Sequence, residues 1–488
     1  MASTASPLGR LADAVGGEVI GDPAVTVGDV THDSRQVGPA TLFVAVPGFH
    51  HDGHVYVPAA VAAGASAVMV ERDTGVAVPQ IVVADTRVAM ASVAAEVHGH
   101  PSSRVEVVGV TGTNGKTTVT HMVESIVAAS GRVPGLIGTV HTRVGGRNIL
   151  NTRTTPESPD FQRLLATMAD AGAAIVSAEV SSHALEMHRV DATRFAVAAF
   201  TNLSQDHLDF HGDMEGYFGA KASLFDPKRS ERAVVWIDDP AGERIRAGLE
   251  IPFLTVGTAG DVSITERDVR VDGSTFRLST PAGDCVVTMP LGGGFNVDNA
   301  AVAAACAMSL GLGLDGVAAG LSRFEGVPGR FEVVSGDDPV RVVVDYAHTP
   351  AGIVAAIAAA RTVAAGEGRV IVVFGAGGDR DRAKRPHMGA AAMAADVVFV
   401  TSDNPRSEDP DAIIDEVITG ASGAARVRRE ADRRAAVRDA IGEAVAGDIV
   451  LVLGRGHERG QEIGGRSIPF SDRLVAREEL AARRALEP

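Results

Sequence analysis

The chain has 488 residues, 45% hydrophobic and 22% charged, with 61 acidic against 45 basic side chains and a formal charge of −16. This exceeds what one hydrophobic core organises, so two or three compact domains are expected and long disorder is not. The acidic balance argues against general nucleic-acid binding, and the two cysteines, Cys285 and Cys306, exclude a disulfide scaffold or a thiolate zinc cluster.

A reducing cytoplasm is the natural compartment for such cysteine usage. The opening MASTASPLGR lacks the basic-then-apolar order of a secretory signal, and the alanine-rich stretches are interrupted short of a bilayer-spanning length. No membrane insertion is expected, and the oligomeric state stays open.

In chain order, TLFVAV (41–46), SAVMV (66–70) and QIVVA (80–84) predict short strands, with a helical stretch around 59–63, as in a small α/β domain. Pro-Ser-Ser-Arg at 101–104 precedes the strand VEVVGV (105–110), where a second domain begins. Runs 173–180, 194–200 and 233–237 predict buried parallel strands between helices, whereas 265–291 alternates like antiparallel strands. A helix over 297–312 leads to the turn-rich link FEGVPGRFE (324–332). The strands RVVVDY, RVIVVFG, DVVFVTSD and DIVLVLG then predict a Rossmann-like domain with polar residues at the strand ends. The expected division is 1–103, 104–330 and 331–488.

Between strand and helix lies Gly109-Val110-Thr111-Gly112-Thr113-Asn114-Gly115-Lys116-Thr117-Thr118. Gly112 to Gly115 allow an amide-lined turn around phosphate, Lys116 can reach the terminal phosphates, and Thr117 can offer a hydroxyl to magnesium, with Thr118 following. The spacing departs from the strict P-loop because Val110 occupies the first glycine position. Glu179, ending the strand of 173–180, and His207, in TNLSQDHLDFHG, can both enter the mouth beside this loop as magnesium ligands. Only four of the basic residues are lysines, Lys116, Lys221, Lys228 and Lys384, so each invites chemistry that guanidinium cannot perform. On this motif alone a nucleotide-dependent switch or binding module remains possible.

The ordered strings THDSRQV, GVTGTNGKTT, TRTTP, EVSSHAL, TNLSQDHLDFHG, YFGAKASLF, FNVDNA, PGRFE, VDYAHTP, GAGGDRD, DNPR and GRGHE resemble the ATP-dependent Mur ligases over nearly the whole chain. The resemblance implies an α/β protein with three domains: a UDP-substrate domain, a central P-loop ATPase-like domain and a C-terminal Rossmann-like domain that binds the amino acid. It implies a ligase that uses ATP and Mg2+ to activate the substrate carboxylate as an acyl phosphate, which an amine then attacks. The expected substrates are UDP-N-acetylmuramoyl-L-alanyl-D-glutamate and meso-2,6-diaminopimelate, and the expected role is peptidoglycan precursor synthesis.

Carried over residue by residue, Lys116, Lys221, His207 and Arg330 are expected to be catalytic, with Lys221 carbamylated and helping Thr117, Glu179 and His207 to position magnesium. Asn299 is expected near adenine and Arg330 at the ATP phosphates. Asp345, Tyr346 and His348 form the nucleotide-facing segment, Asp345 toward ribose and His348 toward the base. Ser34, with Asp33 and Arg35, is expected at uridine diphosphate, and Gly48, His50 and His54 form another candidate loop. Thr154, Thr155, Pro156, Ser181 and Arg189 match positions around the muramoyl dipeptide. Met187 stands where glutamine is often found and cannot duplicate an amide's contacts.

Asp403, Asn404, Pro405, Arg406, Gly454 and Glu458 match the amino-acid pocket, with Arg380 and His457 nearby. Arg406 can pair bidentately with the distal carboxylate of diaminopimelate, and Glu458 can hold its distal ammonium. Arg455 replaces the lysine common in the GKGHE string. Folylpolyglutamate synthase or a lysine-adding Mur ligase are the competing ligases; the first lacks the opening UDP-substrate pattern and the second should lack DNPR.

Overall fold

The computed structural model describes residues 5–48, 51–149, 153–336, 338–364 and 368–485. Three mostly parallel sheets follow one another along the chain. The first has five strands in the order Glu18–Ile20, Gln80–Val82, Ala67–Val70, Thr41–Val44 and Asp29–Thr31, antiparallel only at the Glu18–Ile20 edge. Leu42, Val44, Met69 and Ile81 from these strands are fully buried against Leu8, Leu11 and Val93.

The second sheet has eight strands, centred on Glu106–Thr111 between Ile175–Glu179 and Val197–Phe200. Both neighbours are parallel to it, pairing Glu179 with Val110 and Phe200 with Thr111. The β-branched run Val107, Val108 and Val110 is buried on both faces, as expected for a central parallel strand covered by crossover helices. One cover is the helix Lys116–Ala129, which packs its Val119, Met122, Val123 and Ile126 with Val297, Ala301 and Ala304 of Gly294–Ser309. As expected, 265–291 forms a separate antiparallel sheet of Ser263–Val269, Ser274–Thr280 and Gly283–Met289.

The third sheet runs Glu332–Val333, Arg341–Asp345, Ile449–Leu453, Val370–Phe374, Val397–Val400 and Arg426–Arg429. All its pairings are parallel except that of Glu332–Val333. The carboxyl ends of these strands carry Asp345, Gly454, Gly375 and the 401–406 loop, where open parallel sheets gather ligands. Among the described residues no helix is long and apolar enough to cross a membrane, and both cysteines are free.

Candidate functional site

The phosphate loop leaves the central strand at Thr111 and re-enters helix at Lys116. Gly115 has φ +88°, and a Cβ there would strike Asn299 Oδ1, so only glycine lets the loop lie against Asn299. Lys116 Nζ donates to the carbonyls of Gly112 (2.7 Å) and Thr113 (2.9 Å), and Lys221 Nζ donates to the same Gly112 carbonyl at 2.9 Å. Burial lowers both lysine pKa values, and Lys221 falls well below the ordinary range because Lys116 adds to the desolvation. Lys221 also lies 4.4 Å over the Tyr217 ring, whose hydroxyl is 3.2 Å from Thr113 Oγ1.

Sheet register brings Glu179 level with the loop. The Thr117 hydroxyl donates to Glu179 Oε2 at 2.9 Å, Thr139 N donates to Oε1 at 2.7 Å, and Arg330 Nη2 donates to Thr117 Oγ1 at 3.2 Å. This hydroxyl–carboxylate pair is a hard oxygen donor set that suits magnesium when phosphates and water complete the shell. Among the described residues no group of three His, Cys, Asp or Glu side chains is placed to hold a metal ion. His207 instead faces Asp206, Nε2 to Oδ2 at 3.3 Å, and packs edge-on against His183. Burial pushes its imidazole pKa down to about 3, so the ring is neutral and its nitrogen lone pair is free of a proton at neutral pH.

A cleft of 410 Å³ opens from the phosphate loop across to the third sheet, lined by Gly115, Thr117, Asn299, Arg330, Asp345 and Tyr346. Arg330 lies 4.2 Å from the Tyr346 ring, and its buried Nε has no hydrogen-bond partner among the described residues. Trp236 and Phe295 also line this cleft and were not singled out from sequence; Trp236 is the only tryptophan, at the end of a predicted strand, which was the available signal. Asp345 lines the cleft and accepts from the backbone amides of Phe331 (2.7 Å) and Ala347 (2.8 Å), one on each carboxylate oxygen, which fixes the cleft wall and leaves further acceptor capacity on both oxygens. His348 is not among the residues lining the cleft: Nδ1 meets the Tyr346 carbonyl and Nε2 faces the buried Asp206 carboxylate at 3.6 Å.

A second cavity of 960 Å³ lies between the first and second sheets, lined by Asp33, Ser34, Arg35, Pro156 and Arg163 among others. Arg163 crosses to Asp29 at 2.9 Å, and Arg87, Arg153 and Arg189 all pair with the buried Glu157. Three guanidiniums around one carboxylate leave an anion-seeking wall. Beside it, Thr155 Oγ1 donates to the Glu179 carbonyl (2.7 Å) and accepts from Ser181 N (3.1 Å), while Thr154 Oγ1 accepts from Thr139. Met187 Sδ lies 3.5 Å from Arg189 Nη2 and so touches this wall with a weak acceptor. His54 is buried, held by Asp52 and accepting from Glu71 N, which makes it part of the fold rather than the cavity; His50 lies outside the described residues.

At the strand ends of the third sheet, Gly454 has φ +114° and a Cβ there would come 2.5 Å from Asp403 Oδ2. Asn404 Nδ2 donates to Glu458 Oε2 at 2.9 Å. Burial, and then the Asp403 charge, push the Glu458 carboxyl up, the electrostatic signature of a place that gains from a cation. Arg406, at φ +54°, donates to the Gly378 carbonyl at 2.7 Å and pairs with Glu462 at 2.9 Å. Arg380 is exposed, its guanidinium on the Asp379 carbonyl, with Gly377 between its stem and Arg406. Arg455, whose role sequence left open, is fully buried beneath this pocket.

Residues 26–110 match the Mur ligase family catalytic domain, 110–307 the Mur ligase middle domain, and 329–456 the Mur ligase glutamate ligase domain. The UDP-N-acetylmuramoyl-L-alanyl-D-glutamate--2,6-diaminopimelate ligase of Gloeobacter violaceus is 44% identical over 470 residues, covering 95% of this chain and 96% of that one. The enzyme of the same name from Streptomyces coelicolor is 43% identical over 98% of this chain and 97% of its own. A solved structure of a ligase of that name superimposes with TM-score 0.69 at 32% identity, covering 99% of this chain and all of the other. Three matches in chain order, with relatives similar over nearly the whole of both chains, establish that the chain belongs to the Mur ligase family.

Proposed function

We propose that this protein is the ATP-dependent ligase that joins meso-2,6-diaminopimelate to UDP-N-acetylmuramoyl-L-alanyl-D-glutamate, a step of peptidoglycan precursor synthesis. The observation that carries the substrate assignment is the pocket around Asn404, whose carbonyl is 3.5 Å from Arg406 and whose amide holds Glu458 at 2.9 Å. A guanidinium on one side and carboxylates on the other suit an amino acid bearing a second carboxylate and a second ammonium. The domain division 1–103, 104–330 and 331–488 is supported by the three successive sheets. Two free cysteines support a reducing, cytoplasmic setting.

In this reading Ser34 holds the uridine diphosphate end of the substrate, and Thr154, Thr155, Ser181 and Arg189 hold the muramoyl dipeptide. Its terminal carboxylate attacks the γ-phosphorus of ATP, giving an acyl phosphate and ADP; the amine of diaminopimelate then attacks that carbonyl and phosphate leaves. Lys116 and Arg330 offset charge on the transferring phosphoryl group, and the loop amides of residues 112–118 cradle the remaining phosphates. Asn299 and Tyr346 flank the nucleotide. Thr117, Glu179, His207 and Lys221 would hold Mg2+, which supplies charge neutralisation between phosphate oxygens. Lys221 suits carbamylation because its burial favours the neutral amine, the form that attacks carbon dioxide. Asp403, Asn404, Pro405, Gly454 and Glu458 shape the amino-acid pocket, with Arg380 at its rim.

Product mass and phosphate release, measured with ATP, Mg2+ and the UDP-dipeptide, test the assignment against meso-diaminopimelate, L-lysine and no amine. Product and equimolar phosphate are expected only with diaminopimelate. Product only with lysine would overturn the amine assignment, and equal ATP turnover without either substrate would favour a nucleotide-dependent switch. Arg406→Ala is expected to weaken diaminopimelate use by about 2 kcal/mol or more, the scale of a lost charge-assisted contact. ATP and UDP-dipeptide affinity should be retained; an unchanged diaminopimelate affinity by titration would refute the contact.

A further inference from the structure

Arg455 is fully buried, yet its nearest carboxylate, Glu458 Oε2, is 3.5 Å away. Its short contacts are to neutral acceptors: Nη1 donates to Asn404 Oδ1 at 2.8 Å and Nη2 to the Gly460 carbonyl at 2.5 Å, while Nε has no hydrogen-bond partner among the described residues and Phe470 lies 5.6 Å from Cζ. Burying a guanidinium on amide acceptors is unfavourable unless the geometry it enforces matters. That geometry is the polarity of one side-chain amide. Asn404 Oδ1 accepts twice, from Arg455 and from Glu462 N at 2.9 Å. Turning the amide over would set its NH2 against two donors at once. With Oδ1 pinned, Nδ2 points at Glu458 Oε2.

We propose that Arg455 is a positioning residue for amine selection: by locking the orientation of Asn404 it presents an amide donor to one oxygen of Glu458 and leaves the other to receive the substrate's distal ammonium. The inference rests on the reading that this pocket takes diaminopimelate. Without the lock Asn404 can rotate, Glu458 loses its donor next to the Asp403 charge, and the carboxylate is no longer held in one orientation. Arg455 itself touches no reacting atom; its short contact is with Asn404 at 2.8 Å, and its ion pair with Glu458 is the longer, at 3.5 Å. A lysine retains a charged donor for Oδ1, whereas methionine fills similar space and donates nothing.

The test is a double-mutant cycle in the full-length ligase, read as KM for diaminopimelate against kcat and against KM for ATP and the UDP-dipeptide. Arg455→Met is expected to raise the diaminopimelate KM about tenfold or more, with kcat and the other two KM values within about threefold, and Arg455→Lys to restore most of the loss. Asn404→Ala should raise the same KM, and adding Arg455→Met to it should raise it little further, because the two residues act as one unit. Additive effects in the cycle, or equal rises in all three KM values, would overturn the inference while leaving the parent's amine preference intact. A parent that makes no diaminopimelate product would instead overturn the functional reading. If Arg455→Met fails to fold, the same cycle with Arg455→Lys and Asn404→Ala decides: a lysine variant that loses diaminopimelate affinity additively with Asn404→Ala refutes the lock.

Discussion

Lys116→Met is expected to lower kcat by about 10²–10³-fold, about 3–4 kcal/mol of transition-state stabilisation, the scale of losing one preorganised donor to developing charge. The ammonium now rests on two carbonyls of its own loop, Gly112 and Thr113, so it is already held where the terminal phosphates arrive. Burial depresses its pKa, with Glu179 acting in the opposite direction, and a polyphosphate would further favour the charged amine. The loop itself should survive the substitution because Lys221 still donates to the Gly112 carbonyl. Binding of the UDP-dipeptide, at the far side of Glu157, should be unchanged by calorimetry. Parent-like kcat in a folded Lys116→Met protein would remove Lys116 from the catalytic group.

The phosphate loop was legible because its requirements are local: glycine where φ is positive, lysine at the helix start, β-branched residues in the strand before it. The central strands of the three sheets were likewise visible as short apolar runs, whereas edge strands such as Glu18–Ile20 and Arg426–Arg429, less buried and less apolar, were not. The orientations of Asp345 and His348 were not legible, for a shared reason. Their motif gave their neighbourhood but not their direction, which depends on the amides of Phe331 and Ala347 and on the buried Asp206 carboxylate from a distant loop. Arg455 was unreadable because its partners, Asn404, Gly460 and Phe470, meet it only after the strand ends converge. The arginine cluster on Glu157 was missed similarly, since Arg87 comes from the helix Thr86–Val97 of the first sheet's layer.

Side chains from separate sheets therefore complete each pocket, and ion pairs cross both junctions beside apolar contacts such as Phe295 on Phe331. Asp206 meets Lys384 at 3.4 Å and His348 at 3.6 Å across one junction, and Arg87 meets Glu157 at 3.0 Å across the other. These partners are largely buried, so parting one of them leaves an uncompensated charge, and the pairs hold the junctions in the arrangement described.

Asp472→Asn is expected to loosen the third sheet at its ligand end by about 3–5 kcal/mol, because it leaves a buried guanidinium without its counter-charge. Arg433 and Asp472 are both fully buried and form two hydrogen bonds of 2.7 Å. Arg433 also donates to the carbonyls of Leu453 (2.8 Å) and Ser402 (3.2 Å), the residues just before Gly454 and Asp403. The pair thus ties two strand ends to the helix Asp472–Arg484 directly under the amino-acid pocket. Replacing both residues by apolar ones would remove the unpaired charge but strand those two carbonyls, so only partial recovery follows. Amide exchange over Ile449–Leu453 reads the effect locally, and at about 3 kcal/mol or more it should quicken by about 100-fold. Diaminopimelate KM should rise in parallel, since the same two carbonyls set the spacing between Gly454 and Asp403. Unchanged exchange in that strand would mean that the helix, not the ion pair, holds the pocket floor.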